Sequence, residues 1–399
     1  MNSKKDILIV STQPFNSGAW AYYPIEILNA LSTSNEYNIH FLCHIKDSSV
    51  NYHIPENVNK IPFKLPRQKI LKFLYVLFPI AMLKKISKLN KKYKFQCIHF
   101  ISPDFIFANI MRILQSKYKL LYTVHDLYYH PANGTQVSYI LKYFLWNDKR
   151  NVSLCKNLVS CSNSQIKEME TLFPDKKIFF HHMPNHIHKF IKNGNDCIQE
   201  LKGIKEYFLF FGRIEPYKGV EILYKAYLES GLENKIPLVI AGNTSDSNYN
   251  PFSEHKCSSN LFFINRFIED FEIRNLFSLA KCVIYPYTSI TMSAVIQFPY
   301  CFGVPVIASD LPYFRDEIRD GETGLLFKTG DYQDLLQKMR YVCDVQLDIE
   351  KMKKEQLKLY RQICSTDNLR KELEYIYSSI IQGGTDGYKP FVGGIEKCS

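Results

Sequence analysis

The sequence predicts an α/β protein of two Rossmann-like, doubly wound domains that face each other across a cleft. Three observations lead there. Short continuous apolar runs, the mark of strands buried on both faces of a parallel sheet, alternate with helical stretches. The alternation stops in a polar, basic segment near His186 to Glu200 and starts afresh at Tyr207. A length of 399 residues suits two domains, and an apolar fraction of 46% is enough for sizeable cores. The expected division is 1–190, 200–365, and a helix end with a loose tail over 366–399.

In chain order, Ile7 to Val10 is the first strand. It runs into a polar turn, Ser11 to Ala19, that contains Gly18, and then into a helix over about Trp20 to Leu31. Ile39 to Cys43, Phe95 to Ile101, Leu120 to Val124 and Leu158 to Ser160 are the following strands. Ser162-Asn163-Ser164 is placed to cap a helix over Gln165 to Leu172, because a side chain there can accept from an unpaired backbone N–H of the first turn. In the second half, Tyr207 to Phe211, Pro237 to Ala241, Asn260 to Ile264, Val283 to Tyr285, Val304 to Ala308 and Gly324 to Phe327 are strands. A short helix is expected over Phe271 to Ala280, and one long amphipathic helix over about Glu350 to Ile381. The Gly-rich tail from Gly383 has little to pack with.

The 11 cysteines are odd in number and scattered, with no Cys-x-x-Cys and no zinc spacing, so reduced thiols in a cytosolic chain are expected. The N-terminus reads as a polar lead into a strand, not as a signal peptide. No apolar stretch reaches the length of about 18 residues that suggests a membrane span. In a cytosolic chain the sequon Asn133-Gly134-Thr135 carries no glycan. The net charge of +11 is unevenly placed. Between Glu56 and Asp104 no residue is acidic and eleven are Lys or Arg, from Lys60 to Lys94, around an apolar core over Ile70 to Leu83. Such a stretch is either a solvated helix face over an ordinary core or a contact with an anionic membrane surface. Nucleic acid is not expected as a partner, since no helix-turn-helix, zinc finger or RNA-binding signature accompanies the charge.

Two segments carry chemistry. Phe211 to Gly219 leaves a buried strand through Gly212, presents Arg213 and Lys218, and enters a helix at Gly219. The end of a strand in an open α/β sheet is where ligands bind. Arg grips phosphate oxygens in a planar fork and Lys adds a point charge, so the pair suits a diphosphate; a solvated surface loop is the alternative. Tyr285 to Gly303 holds a small polar cluster, Thr288 to Ser293, ahead of an apolar helix. Backbone N–H groups at such a start can bind phosphate or sugar oxygens. His125 follows an apolar strand at a carboxyl end of the sheet and precedes Asp126; a packing histidine is the plain reading there.

Together these residues resemble the nucleotide-sugar-dependent glycosyltransferases of the GT-B fold, specifically the large retaining family 4 (glycosyl transferases group 1). The resemblance is strongest over about Tyr207 to Gln337. It rests on Gly212-Arg213 with Lys218-Gly219, on Gly303-Val-Pro-Val-Ile-Ala-Ser-Asp310, and on Glu317 with Gly321-Glu-Thr-Gly324 and Asp331. It is thinner in the first half, over Ile7 to Gly18, Thr123-Val-His-Asp126 and Ser160-Cys-Ser-Asn-Ser164. It implies that Arg213 and Lys218 bind the donor diphosphate and stabilise the leaving nucleoside diphosphate, which makes a metal or other cofactor unnecessary. It implies that the backbone of Thr291, Met292, Ser293 and Ala294 holds the pyrophosphate and donor sugar. Gly212 would open the loop that carries the cations, and Gly18 would let the first-domain loop come close to the phosphates. His125 would stand beside the donor sugar and the incoming acceptor.

One departure stands out. The family usually shows two glutamates eight positions apart at the donor site, and Ile290 and Phe298 occupy those positions here. Neither can accept a hydrogen bond from a sugar or ribose hydroxyl. The implied activity is transfer of a sugar, with retention of configuration, from a nucleotide-sugar to a saccharide or lipid-linked acceptor in cell-surface polysaccharide synthesis. A catalytically silent binding subunit and a nucleotide-sugar epimerase of the same architecture are the alternatives. A dinucleotide oxidoreductase is excluded, because Ser11 to Ala19 has one glycine where Gly-x-Gly-x-x-Gly is needed.

Overall fold

The computed structural model describes residues 3–12, 19–44, 54–103, 106, 108–127, 139–184, 187, 198–244, 249–253, 258–343 and 348–383. They divide into two compact units, one within 1–129, 136–186 and 363–399, the other within 187–362.

The first unit carries a seven-stranded sheet: β1 Lys5–Ser11, β2 Tyr37–His44, β3 Asn59–Phe63, β4 Cys97–Phe100, β5 Leu120–Thr123, β6 Asn157–Ser160 and β7 Lys177–Phe180. Its order is β3-β2-β1-β4-β5-β6-β7 and every pairing is parallel. Among the described residues the helices that precede or follow these strands are α1 Ala19–Ser32, α2 Lys69–Leu77, α3 Ile80–Tyr93, α4 Met111–Lys117, α5 Tyr139–Leu154 and α6 Asn163–Leu172. Parallel strands need crossovers, and helices over both faces bury them. Accordingly Ile7, Leu8, Ile9 and Val10 are all buried, and Leu8, Ile98, Phe100, Leu120 and Leu158 join one cluster. Ser162 caps α6 as expected, its side chain accepting from the Gln165 N–H.

The second unit has a six-stranded sheet: β8 Tyr207–Phe211, β9 Leu238–Ala241, β10 Leu261–Ile264, β11 Ala280–Tyr285, β12 Val306–Ser309 and β13 Leu325–Phe327. The order is β10-β9-β8-β11-β12-β13, again parallel throughout. Its helices are α7 Val220–Glu229, α8 Ile273–Ser278, α9 Gln297–Phe302, α10 Pro312–Glu317, α11 Tyr332–Cys343 and α12 Ile349–Ile363.

The long terminal helix expected over Glu350 to Ile381 is two helices. It breaks at Cys364-Ser365, where the Ser365 side chain accepts from the Asn368 N–H and starts a new helix, α13 Thr366–Gln382. α13 belongs to the first unit and does not extend the second. Its reason is in its side chains. Leu373, Ile376 and Tyr377 are fully buried, the helix packs on α1 and β4, and the Tyr377 hydroxyl bonds His99 Nδ1 at 2.9 Å. The tail from 384 lies outside the described residues. So does the sequon at Asn133.

β3 and β7, absent from the sequence prediction, are the two edges of the first sheet. Edge strands need no unbroken apolar run: β3 buries Phe63 alone, and β7 buries Phe179 and Phe180.

Candidate functional site

In an open α/β sheet the strand order reverses at one point, and the loops leaving the carboxyl ends on either side of it splay apart to make room for a ligand. In the second sheet this point lies between β8 and β11. The loop after β8 is 212–219, which carries both cations. The loop after β11 is 286–293, which leads to the small polar cluster. The two segments singled out in the sequence are therefore the two sides of the reversal.

The β8 loop is fixed by close backbone approaches. The Gly212 N–H donates to the Ala241 carbonyl at 3.0 Å and the Ile214 N–H to the Asn243 carbonyl at 3.0 Å. Gly242, which the sequence reading missed, makes this possible. A Cβ there would fall 1.9 Å from the Gly212 carbonyl oxygen. The loop then forms a single turn, Pro216–Lys218, and ends at Gly219 in the left-handed region (φ +64°). A Cβ on Gly219 would lie 2.0 Å from the Pro286 carbonyl oxygen, so only glycine lets this loop lie against the β11 loop. The contact is tied further by Thr288, whose N–H and hydroxyl both donate to the Tyr217 carbonyl, at 2.9 and 3.2 Å.

Between the loops stands Tyr287, fully buried, whose role the sequence did not reveal. Lys218 Nζ sits 3.7 Å from the centre of its ring and 5.0 Å from that of Tyr217. Lys218 is 7% exposed. The electron-rich ring face offsets part of the cost of holding an ammonium out of water. Burial pushes the Tyr287 hydroxyl well above its usual range, while Arg213 is near enough to pull it back slightly. Arg213 itself is exposed. Lys218 is thus sheltered on Tyr287, while Arg213, on the same loop, stands in solvent.

On the other loop, Thr291, Met292 and Ser293, the last with extended backbone, lead into the turn Ala294–Ile296 and α9. Buried tyrosine hydroxyls hold this lead by its carbonyls. Tyr313 donates to Ser293 O and Tyr285 to Val295 O, each at 2.9 Å. Ile290 packs against the core from its edge, and Phe298 lies inside it, 5.1 Å from Phe211 and stacked on Phe277 at 5.3 Å. The motif residues downstream support this frame. Tyr300 donates to the Glu317 carbonyl at 2.8 Å and pairs with Thr323 at 3.0 Å, and Arg315 closes on Asp310.

In the first unit, the reversal lies between β1 and β4, where the Thr12 N–H donates to Ser102 Oγ at 3.2 Å. Gly18 lies outside the described residues. His125 follows β5 and is buried. Its Nε2–H donates to the Ile101 carbonyl at 3.0 Å, which fixes the tautomer and leaves Nδ1 as the acceptor nitrogen. The Tyr23 ring meets it edge-on at 4.7 Å. Burial lowers the His125 pKa to about 4, and the backbone hydrogen bond opposes this only in part. At neutral pH it is an uncharged imidazole, able to accept a hydrogen bond from a hydroxyl but not to act as a cation.

Two doubly wound units, the second with a pair of cations at its strand reversal, suit a phosphorylated ligand. Family models make the class specific. Residues 195–358 match "Glycosyl transferases group 1" and residues 15–154 match "Glycosyl transferase 4-like". The chain belongs to these glycosyltransferases of the group 1, family 4 type, and its fold is GT-B. Solved structures agree on the fold. A glycosyltransferase from Rickettsia africae aligns with a TM-score of 0.68 at 17% identity, over 96% of this chain and 100% of that one. A sucrose-phosphate synthase from Thermosynechococcus elongatus gives 0.67 at 14%, over 96% and 100%. Anabaena HepE in complex with UDP gives 0.65 at 14%, over 94% and 100%. A D-inositol 3-phosphate glycosyltransferase from Corynebacterium aurimucosum is 25% identical over 143 residues. That match spans about a third of each chain, 34% of this one and 34% of the relative.

Proposed function

We propose that the protein transfers a sugar from a nucleotide-diphosphate sugar to a saccharide or lipid-linked oligosaccharide acceptor, with retention of anomeric configuration. The observation that carries this reading is the sheltered Lys218 beside Arg213 at the strand reversal of the second sheet, opposite the backbone lead 291–294. In that arrangement Lys218 and Arg213 bind the diphosphate and gain strength as it departs with the bonding electron pair. They supply the charge that a metal would otherwise bring, so the proposal needs no cofactor. The 291–294 backbone orients the pyrophosphate and sugar. His125, neutral, accepts a hydrogen bond from a sugar hydroxyl and thereby positions it.

Cell-surface polysaccharide assembly, on the inner face of the plasma membrane, is the setting that fits a lipid-linked acceptor and a basic first unit. Relatives in solved structures bind UDP, UDP with glucose, or UDP-glucose, so uridine diphosphate sugars head the donor panel. Thermal shift against nucleotide sugars identifies the donor, because a ligand that binds only the folded state raises its stability. Product analysis of the transferred linkage then tests retention, and an inverted linkage refutes it. Donor binding with no release of nucleotide and no transfer to any acceptor supports the second reading, a silent binding subunit, which Ile290 and Phe298 in the glutamate positions favour.

A further inference from the structure

The helix α2 and its surroundings do not fit an ordinary core. Among its described side chains, within Lys69–Leu77, one is buried, Val76. Ile70 is 76% exposed, Phe73 55% and Phe78, just past its end, 61%; Leu71, Leu74 and Ile80 are exposed as well. Soluble proteins scatter exposed apolar residues singly and rarely gather them, since each costs favourable burial. The gathering extends to α5. Phe73 lies 6.4 Å from Tyr143, and Tyr143 lies 6.1 Å from Trp146, which is itself more than half exposed. The α2 helix is held in place from behind, where Asn109 Nδ2 donates to the Leu77 carbonyl at 3.0 Å.

The helix that follows this patch in the chain is cationic. Helix α3 continues from α2 through Phe78-Pro79 and exposes Lys84, Lys88, Lys91 and Lys92. Lys84, Lys88 and Lys91 join Lys117 and Tyr118 in lining a groove of about 360 Å³. No acidic residue occurs between Glu56 and Asp104 to neutralise it.

We propose that this face of the first unit docks on an anionic lipid bilayer. The apolar side chains of α2, with Trp146, enter the boundary between headgroups and acyl chains. The lysine groove of α3 takes the phosphates of anionic headgroups. The charge argues for a bilayer over a second copy of this chain, because two such faces would repel each other. The apolar helix argues against nucleic acid, which offers no apolar layer for exposed Ile, Leu and Phe to enter. The face deepens the reading of a membrane-side acceptor, and it is tested without donor or acceptor, so its failure leaves sugar transfer untouched.

The experiment uses the full chain and sedimented vesicles of phosphatidylcholine with about a third phosphatidylglycerol. Wild type should partition to these far more than to pure phosphatidylcholine, and less as salt is raised. The triple variant Lys84→Glu, Lys88→Glu, Lys91→Glu should lower the partition coefficient about a hundredfold, since each cation near the surface is worth roughly a factor of five to ten. Phe73→Ser with Leu74→Ser should lower it about tenfold or more while the salt dependence persists. A Trp20→Phe background leaves Trp146 as the sole tryptophan. Its emission should shift to the blue with anionic vesicles and be quenched by brominated acyl chains, which reports on wild-type surface chemistry even if a patch variant misfolds. Equal partition to neutral and anionic vesicles overturns the proposal. So do unquenched Trp146, dimerisation abolished by Phe73→Ser with no vesicle binding, or retention on oligonucleotides in place of vesicles.

Discussion

Lys218→Ala removes the sheltered cation of the donor half-site, and its cost can be worked from its surroundings. Lys218 is 7% exposed and lies 3.7 Å from the Tyr287 ring centre. A charge in such a setting acts through an effective dielectric near 20, where a unit pair about 4 Å apart interacts by roughly 4 kcal/mol, against about 1 kcal/mol in water. Only the part of that interaction that grows as the diphosphate leaves accelerates the reaction. A loss of about 3 kcal/mol, or roughly a hundredfold in kcat, follows for Lys218→Ala. Arg213 is exposed, so Arg213→Ala should cost closer to tenfold, the deficit widening at low salt, where the exposed charge of the wild type is least screened. The fold should survive both changes, with the lost cation–π contact costing about 1 kcal/mol in the Lys218 variant. The assay is nucleotide release from the preferred donor under single turnover, read beside the melting temperature. Rates within threefold of wild type in both variants would refute the assignment of the diphosphate to these cations. A larger loss for Arg213→Ala than for Lys218→Ala would refute the argument from burial.

Three further outcomes follow from the same geometry. Gly219→Ala places a Cβ 2.0 Å from the Pro286 carbonyl at φ +64°, whereas Gly321→Ala, at φ +79°, meets nothing within 4 Å. The first should therefore lower thermal stability well beyond the roughly 1 kcal/mol of left-handed strain that both share, and equal melting temperatures would contradict the packing. For His125, the pKa lowered by burial to about 4 means that the unfolded chain binds protons first as pH falls below the ordinary histidine value. His99 and His181 are lowered by burial too. The stability of the first unit should hold above about pH 6.5 and decline toward pH 4, with His125 alone contributing about 2 kcal/mol of loss at pH 5; a urea midpoint unchanged between pH 7 and 5 would be inconsistent with this. The Glu372 carboxylate accepts from His182 through both its backbone N–H, at 2.9 Å, and its Nδ1, at 2.6 Å. Glu372→Ala should cost about 2 kcal/mol, and removal of residues 363–399 should abolish cooperative unfolding of the first unit, which circular dichroism in urea would reveal.

Most strand positions were legible because a strand of a parallel sheet covered by helices must be apolar on both faces. Tyr207 to Phe211 is the plain case: the run in the sequence and β8 have the same bounds. Legibility fails where that demand lapses. β3, with Lys60 and Pro62 among its five residues, sits at an edge and needs only one buried side chain. Residues 70–83 are apolar by composition, which left a packed helix and a membrane contact both open, because composition does not say which side a helix turns outward; most of α2 faces solvent. The break at Ser365 was hidden because both flanking segments have the same charged, amphipathic pattern, and one serine does the capping. In the site, Arg213 and Lys218 were visible as charges on a turn. Tyr287 and Gly242 were not, since a cation–π contact and a backbone approach are made by residues far apart in sequence.

The departure at positions 290 and 298 changes meaning once the core is in view. Phe298 meets Phe211 and Phe277, which also meet each other, and Phe277 stacks in turn on Phe302. A carboxylate at that position would have to be desolvated among rings, at a cost of several kcal/mol, so the site cannot hold a charged glutamate there without rebuilding β8 and α8. Ile290 likewise packs on the core. On the proposed reading, sugar and ribose hydroxyls would bond on this side with backbone carbonyls and short hydroxyl side chains of 288–294. Neutral acceptors bind hydroxyls more weakly than carboxylates do. The same change removes two negative charges from beside the diphosphate, which strengthens the pull of Lys218 and Arg213 on it. If the donor binds there, its recognition should be weighted toward the diphosphate and away from the sugar. Free nucleoside diphosphate should bind nearly as tightly as the full donor, and added salt should weaken the two alike.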